Sequence, residues 1–245
     1  MDDFKSLKVR TETVPTFQQK VLIVEGTQRP SATLLIFPGY DGDLALEKNE
    51  PTKLTYNFFC RNRFHLATLG YRVVLVDSPQ AIKGLDLQMS SQHRASTSFV
   101  EEYRELKRHL QIEEHSLWLC GMSRSVEGVI RILGQDDSSV RGSILLGCLT
   151  SDSFGTTSVL NLRAASLRFP TLIAHHKWDQ CPLARPELAR KFFDQIPHVQ
   201  KQFLLVESGL AQVGSDPCKG NALHGFWGAD QEVIEHIDRF AKNYC

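Results

Sequence analysis

The sequence predicts an α/β architecture: a mostly parallel central sheet with helices on both faces and no large cap domain. Three observations lead there. Short apolar runs recur along the chain and are continuous rather than alternating, as strands buried on both faces are. Amphipathic stretches of helical period lie between them, and strands alternating with helices imply parallel pairing through right-handed crossovers. The length of 245 residues suits one large sheet, and no repeat, low-complexity segment or linker interrupts it. Residues 1–245 are therefore read as a single domain, with about the first 18 peripheral.

The apolar runs are Val21 to Val24, Leu34 to Phe37, Val73 to Val76, Leu117 to Cys120, Ile144 to Leu146, Leu172 to Ala174 and Phe203 to Val206. A weak helical pattern covers about 54–69 and stops at Gly70, in the manner of a C′ glycine. Phe99, Tyr103, Leu106 and Leu110 repeat at helical spacing with Glu101, Glu102, Arg104 and Lys107 between them. Val126, Val129, Ile130 and Leu133 do the same, and Val233, Ile234, Ile237, Phe240 and Ala241 mark a last helix.

Composition narrows the function classes. Lys plus Arg equals Asp plus Glu at 28 each, so there is no basic footprint for nucleic acid or an anionic membrane. Hydrophobic residues make up 42% and charged residues 23%, ordinary for a soluble globular chain whose core needs no disulfide or metal. No run approaches the roughly 18–20 apolar residues of a membrane helix, and the N-terminus lacks a signal-peptide pattern. A cytoplasmic address is expected. The six cysteines (Cys60, Cys120, Cys148, Cys181, Cys218, Cys245) form no Cys-x-x-Cys pair, and Cys120 and Cys148 read as small buried hydrophobes.

In such a sheet, ligands bind at the carboxyl ends of the strands, so reactive residues there carry the argument. Gly121-Met122-Ser123-Arg124-Ser125 follows the Leu117 run and precedes a helix. That is the context of a nucleophile elbow, in which a strained turn exposes the serine hydroxyl. The Arg124 N–H, at the helix start, would face a developing oxyanion. Asp179 follows the Leu172 run, where a triad acid belongs, although taken by itself an aspartate there is more often a helix N-cap or Asx-turn. His224, on the glycine-rich Ala222–Gly228 loop, follows the Phe203 run and would be the base. A second oxyanion donor is expected after an early strand, and the Tyr40 N–H in Pro38-Gly39-Tyr40-Asp41-Gly42 fits it. Each signal is modest alone; the order Ser, Asp, His after successive late strands gives them joint weight.

These residues resemble the α/β-hydrolase superfamily over about 21–244, and more narrowly a group of small dienelactone-hydrolase-like proteins. The pieces that carry the resemblance are Phe37-Pro38-Gly39, Asn57-Phe58-Phe59 with Arg61 and Arg63, Val76-Asp77-Ser78-Pro79, Gly121–Arg124, His175–Cys181, and Asp216-Pro217-Cys218 ahead of His224-Gly225-Phe226. The resemblance implies Ser123 as nucleophile, Asp179 as acid, His224 as base, and the Tyr40 and Arg124 amides as oxyanion hole. Ser125 departs from it, since the elbow usually carries glycine there. The resemblance also implies a Cys181–Cys218 disulfide tying the acid loop to the base loop, whereas a cytoplasmic address implies two reduced thiols.

The remaining polar candidates read differently. His175, His176, Cys181 and His224 lack a zinc spacing signature, so no metal or cofactor is expected. Asp152 is the alternative acid, Asp77 reads as a structural turn, Glu127 and Arg124 as a pair on the elbow helix, and His93 as a capping or surface residue. About 20 residues separate Cys148 from Thr171, too few for a folded cap, so an open site for a small ester-like substrate is expected. A thioesterase or peptidase would use the same triad, and a catalytically silent binding or effector module is the non-enzyme alternative.

Overall fold

A computed structural model of the chain describes residues 6–112, 116–135, 139–197 and 200–244. The sheet has eight strands: β1 (Lys8–Val14), β2 (Gln19–Glu25), β3 (Ala32–Phe37), β6 (Tyr71–Val76), β7 (Leu117–Met122), β8 (Val140–Leu146), β9 (Thr171–His176) and β10 (Lys201–Val206). A two-stranded hairpin, β4 (Leu46–Glu47) and β5 (Glu50–Pro51), stands apart. The strand order is β1-β2-β6-β3-β7-β8-β9-β10. β1 and β2 pair antiparallel, β2 joins β6 antiparallel, and every other neighbour is parallel.

Among the described residues, six α-helices cover the sheet: α1 (Phe58–Thr68), α2 (Leu87–Arg94), α3 (Thr97–His109), α4 (Ser125–Leu133), α5 (Pro186–Asp194) and α6 (Asp230–Lys242). Alternation along each strand sorts side chains to opposite faces. Leu34 and Ile36 of β3 pack with Phe58 and Phe59 of α1 and with Val233, Ile237 and Phe240 of α6. Leu35 and Phe37, one residue out of phase, pack with Phe99 and Tyr103 of α3, Val129 of α4 and Phe192 of α5. Both faces are dry, which is why the strands read as continuous apolar runs. Among the described residues, no helix is long and apolar enough to cross a membrane.

Besides the β4–β5 hairpin, one strand of the main sheet and two α-helices are absent from the apolar pattern. β1, within the stretch read as peripheral, is an edge strand whose Lys-Val-Arg-Thr-Glu-Thr-Val sequence is mostly polar. α5 is short, burying only Ala189, Phe192 and Phe193. α2 buries Ser90, Ser91 and Arg94 rather than hydrophobes, so its inward face is polar.

Candidate active site

The turn after β7 sets the serine. Ser123 has φ 56°, a left-handed conformation that costs a non-glycine residue about 1–3 kcal/mol unless its surroundings enforce it. Its N–H donates to the Leu146 carbonyl at 2.8 Å, and its own carbonyl accepts from the Val126 N–H at 3.2 Å. Gly121 permits the tight return of α4 onto β7, since a Cβ there would lie 3.0 Å from Val129 Cγ2 and 3.2 Å from Val126 Cα. Ser125 is fully buried; its Oγ accepts from the Met122 N–H at 2.8 Å and donates to the Phe37 carbonyl at 2.5 Å. The Ser125 hydroxyl therefore ties the turn after β7 to β3.

Asp179 and His224 meet beyond β9 and β10. Asp179 Oδ2 lies 2.8 Å from His224 Nδ1, and both side chains are shut away from solvent. Its other oxygen accepts from the Cys181 N–H at 2.9 Å. With Nδ1 donating to the carboxylate, the neutral imidazole presents a lone pair at Nε2, which is buried without a hydrogen-bond partner among the described residues. The acid turn is held by His176: its Nδ1 accepts from the Trp178 N–H at 3.0 Å, and its Nε2 donates to the Ser208 carbonyl at 2.9 Å.

The loop carrying His224 is fastened by Arg61, which projects from α1. Its guanidinium donates to the carbonyls of Tyr56 (2.6 Å), Gly220 (3.2 Å), Gly225 (2.8 Å) and Phe226 (3.2 Å), and to Asp230 Oδ1 (2.7 Å). It also lies 5.1 Å over the Trp227 ring. Burial pulls its pKa down and Asp230 opposes that. Nothing in the sequence marks this role beyond an arginine inside an otherwise apolar helix start.

The loop after β3 comes to rest against the elbow. A Cβ on Gly39 would sit 2.6 Å from the Met122 carbonyl oxygen, so only glycine allows this approach. Tyr40 follows with φ 55°. Among the described residues, neither the Tyr40 nor the Arg124 backbone N–H is engaged in a hydrogen bond. The Arg124 side chain turns away to the Ser153 carbonyl (2.8 Å) and Thr156 Oγ1 (2.9 Å), and burial lowers its pKa.

Ser123, His224, Tyr40 and Arg124 line one cavity of about 650 Å³, within the size range of small-molecule sites. Leu54, Met122, Leu149, Phe154 and Leu183 supply apolar wall, while Asp216, Lys219 and Asn221 supply a polar side. That polar wall is the excursion after β10, which no apolar pattern announces. Lys219 Nζ stacks 3.6 Å over the Tyr40 ring. Cys181 and Cys218, also on the cavity, are joined with an S–S distance of 1.94 Å and Cα atoms 4.7 Å apart.

The residues set aside fall elsewhere. Asp152 Oδ1 accepts from the Ser158 N–H at 2.6 Å and from Asn161 at 3.3 Å. Asp77 braces a turn, accepting from the Leu44 and Ser78 N–H groups and pairing with Lys83 at 2.6 Å. The expected Glu127–Arg124 pair does not form: Glu127 pairs with Arg131 at 2.8 Å, one helical turn on, and accepts from the Thr157 N–H. His93 is neither cap nor surface residue but reaches Glu102 at 2.7 Å. His175 stacks on Phe203 with both ring nitrogens buried and unpartnered among the described residues, and burial lowers its pKa to about 4.

No protein-family model matches the chain, and no curated protein matches it in sequence. Solved structures do match its shape. An esterase from Pyrococcus furiosus aligns with TM-score 0.64 and 13% identity over 99% of this chain and 94% of its own. Dienelactone hydrolase from Anabaena variabilis aligns with TM-score 0.62 and 12% identity over 97% of each chain. Proline iminopeptidase from Mycobacterium smegmatis aligns with TM-score 0.66 and 12% identity over 97% of this chain and 98% of its own. With the strand order and connections described above, these matches show that the chain has the α/β-hydrolase fold.

Proposed function

We propose that the protein is a serine hydrolase cleaving a carboxylic ester of a small substrate through an acyl-enzyme. The observation that carries this reading is the His224–Asp179 pair, whose histidine has no hydrogen-bond partner at Nε2 among the described residues and lines the same cavity as a serine held at φ 56°. His224 takes the Ser123 proton as Oγ attacks the carbonyl carbon. The tetrahedral oxyanion accepts from the Tyr40 and Arg124 N–H groups, each worth on the order of a hundredfold in rate. His224 then protonates the leaving alkoxide, and water, deprotonated by the same imidazole, releases the acid and restores Ser123. Asp179 keeps the imidazole in the tautomer that leaves Nε2 available and stabilises the imidazolium.

The fold neighbours include an esterase, a dienelactone hydrolase and a peptidase, so the fold does not choose among acyl bonds. Ester cleavage is favoured because it needs only a polarised carbonyl and a good leaving group, both within reach of a partly apolar cavity. The test is a panel of p-nitrophenyl acetate, an acyl thioester and an amino-acid anilide, assayed with wild type and Ser123→Ala. Ester turnover that exceeds the other two and vanishes in Ser123→Ala is expected. Preferred cleavage of the thioester or anilide would replace the ester assignment, and ester turnover surviving in Ser123→Ala would refute it.

A further inference from the structure

Resting on the serine-hydrolase reading above, we propose that α2 braces the oxyanion hole and that Arg94, its last residue, is the positioning residue for the Tyr40 amide. Arg94 is only 5% exposed. Its Nη1 donates to the Tyr40 carbonyl at 2.6 Å and its Nη2 to the Pro38 carbonyl at 3.2 Å. These two carbonyls flank the Gly39–Tyr40 peptide, which carries the N–H assigned to the oxyanion. One planar guanidinium thus fixes the peptide units on both sides of the donor, a task suited to arginine's rigid fork and not to a lysine's point charge. Tyr40 needs such fixing. At φ 55° it occupies a conformation that a tyrosine leaves unless its neighbours hold it.

The choice of residue argues for a role beyond packing. A buried cation is costly unless paired, yet among the described residues Arg94 makes no ion pair, only these two carbonyl contacts. Burial lowers its pKa to about 10, with Asp41 opposing, so it stays charged at neutral pH. The same helix also reaches the other donor residue. Ser91 Oγ accepts from Thr156 Oγ1 at 2.8 Å, and Thr156 Oγ1 accepts from Arg124 Nη1 at 2.9 Å. This explains why α2 turns a polar face inward: its buried groups hold the two loops that meet at Ser123.

The 245-residue chain carrying Arg94→Met, Arg94→Lys or Ser123→Ala is assayed with p-nitrophenyl acetate and with a trifluoromethyl ketone, which forms an oxyanion on the serine. Active sites are counted by fluorophosphonate titration, so that a smaller folded fraction is not mistaken for slower chemistry. Per active site, Arg94→Met is expected to lose on the order of a hundredfold in kcat while KM stays within about threefold. Trifluoromethyl ketone affinity should fall by the same factor as kcat/KM, which a role in packing alone would not produce. Arg94→Lys, able to reach one carbonyl, should lose about tenfold and serves as the deciding variant if Arg94→Met does not fold. Per-site kcat and ketone affinity within about twofold of wild type in the folded variant overturn the proposal. Ester turnover that survives in Ser123→Ala overturns instead the serine reading on which it rests.

Discussion

His224 Nδ1 and Asp179 Oδ2 lie 2.8 Å apart in a space closed to solvent, whereas Asp152, another carboxylate that follows a late strand, is occupied by Ser158 and Asn161. The two aspartates should therefore separate in a single experiment. Asp179→Asn can no longer hold the imidazole as a carboxylate does, and kcat for ester turnover is expected to fall about 10³–10⁴-fold. Asp152→Asn should leave kcat within about threefold, because its contacts are to a neighbouring loop. Steady-state kinetics on both variants decides it; the reverse pattern would make Asp152 the acid.

Ser125 offers a second test, because its hydroxyl joins the Met122 N–H to the Phe37 carbonyl across the elbow. Ser125→Gly restores the residue usual in such elbows yet strands a buried N–H and a buried carbonyl. Urea unfolding should show a loss of about 1–3 kcal/mol. Unchanged stability would mean that the two groups find other partners.

Arg61 links the base loop to α1 and α6 through four carbonyls and Asp230. Arg61→Ala removes the donor shared by these carbonyls and leaves Asp230 with Asn62 alone among the described residues, which should cost about 2–3 kcal/mol. As the loop carrying His224 loosens, kcat should fall more than KM rises. Thermal melts and a kcat-against-KM comparison check both, with Arg61→Lys expected to recover only part of each because it cannot reproduce the fork.

His175 makes the fold sensitive to acid. Its pKa is about 4 when folded against an ordinary value of 6.5, so between those pH values the unfolded chain binds a proton that the folded chain refuses. Stability from this residue is fully present above pH 6.5, declines as pH falls toward 4, and changes no further below that. The loss across the window is on the order of 3 kcal/mol. His175→Phe keeps an aromatic ring against Phe203 and should flatten this part of the stability–pH curve. Urea midpoints from pH 7 to pH 4 for both proteins measure it, and identical slopes would contradict the assignment.

Seven of the eight sheet strands were legible as apolar runs because both faces of the sheet are dry. β1 was not, because an edge strand exposed to water carries polar residues. Ser123, Asp179 and His224 could be picked out by their positions after strands, where parallel topology gathers loops at one rim. α2 was invisible for the opposite reason: it buries Ser90, Ser91 and Arg94, and apolar periodicity detects only buried hydrophobes. Arg61 and Asp216–Cys218 entered only as pieces of the family resemblance, with no role read for Arg61 or for the wall at Asp216–Asn221, since their partners are backbone carbonyls and loops far away in sequence.

In the proposed mechanism Ser123 is a nucleophile activated by His224. Treating folded protein with a fluorophosphonate and mapping the adduct by mass spectrometry tests it most directly. Wild type should carry a single phosphonyl group on the peptide containing Ser123, His224→Ala should label far more slowly, and Ser123→Ala should not label. A folded wild-type protein that takes up no probe, or an adduct that persists in Ser123→Ala, would contradict the account.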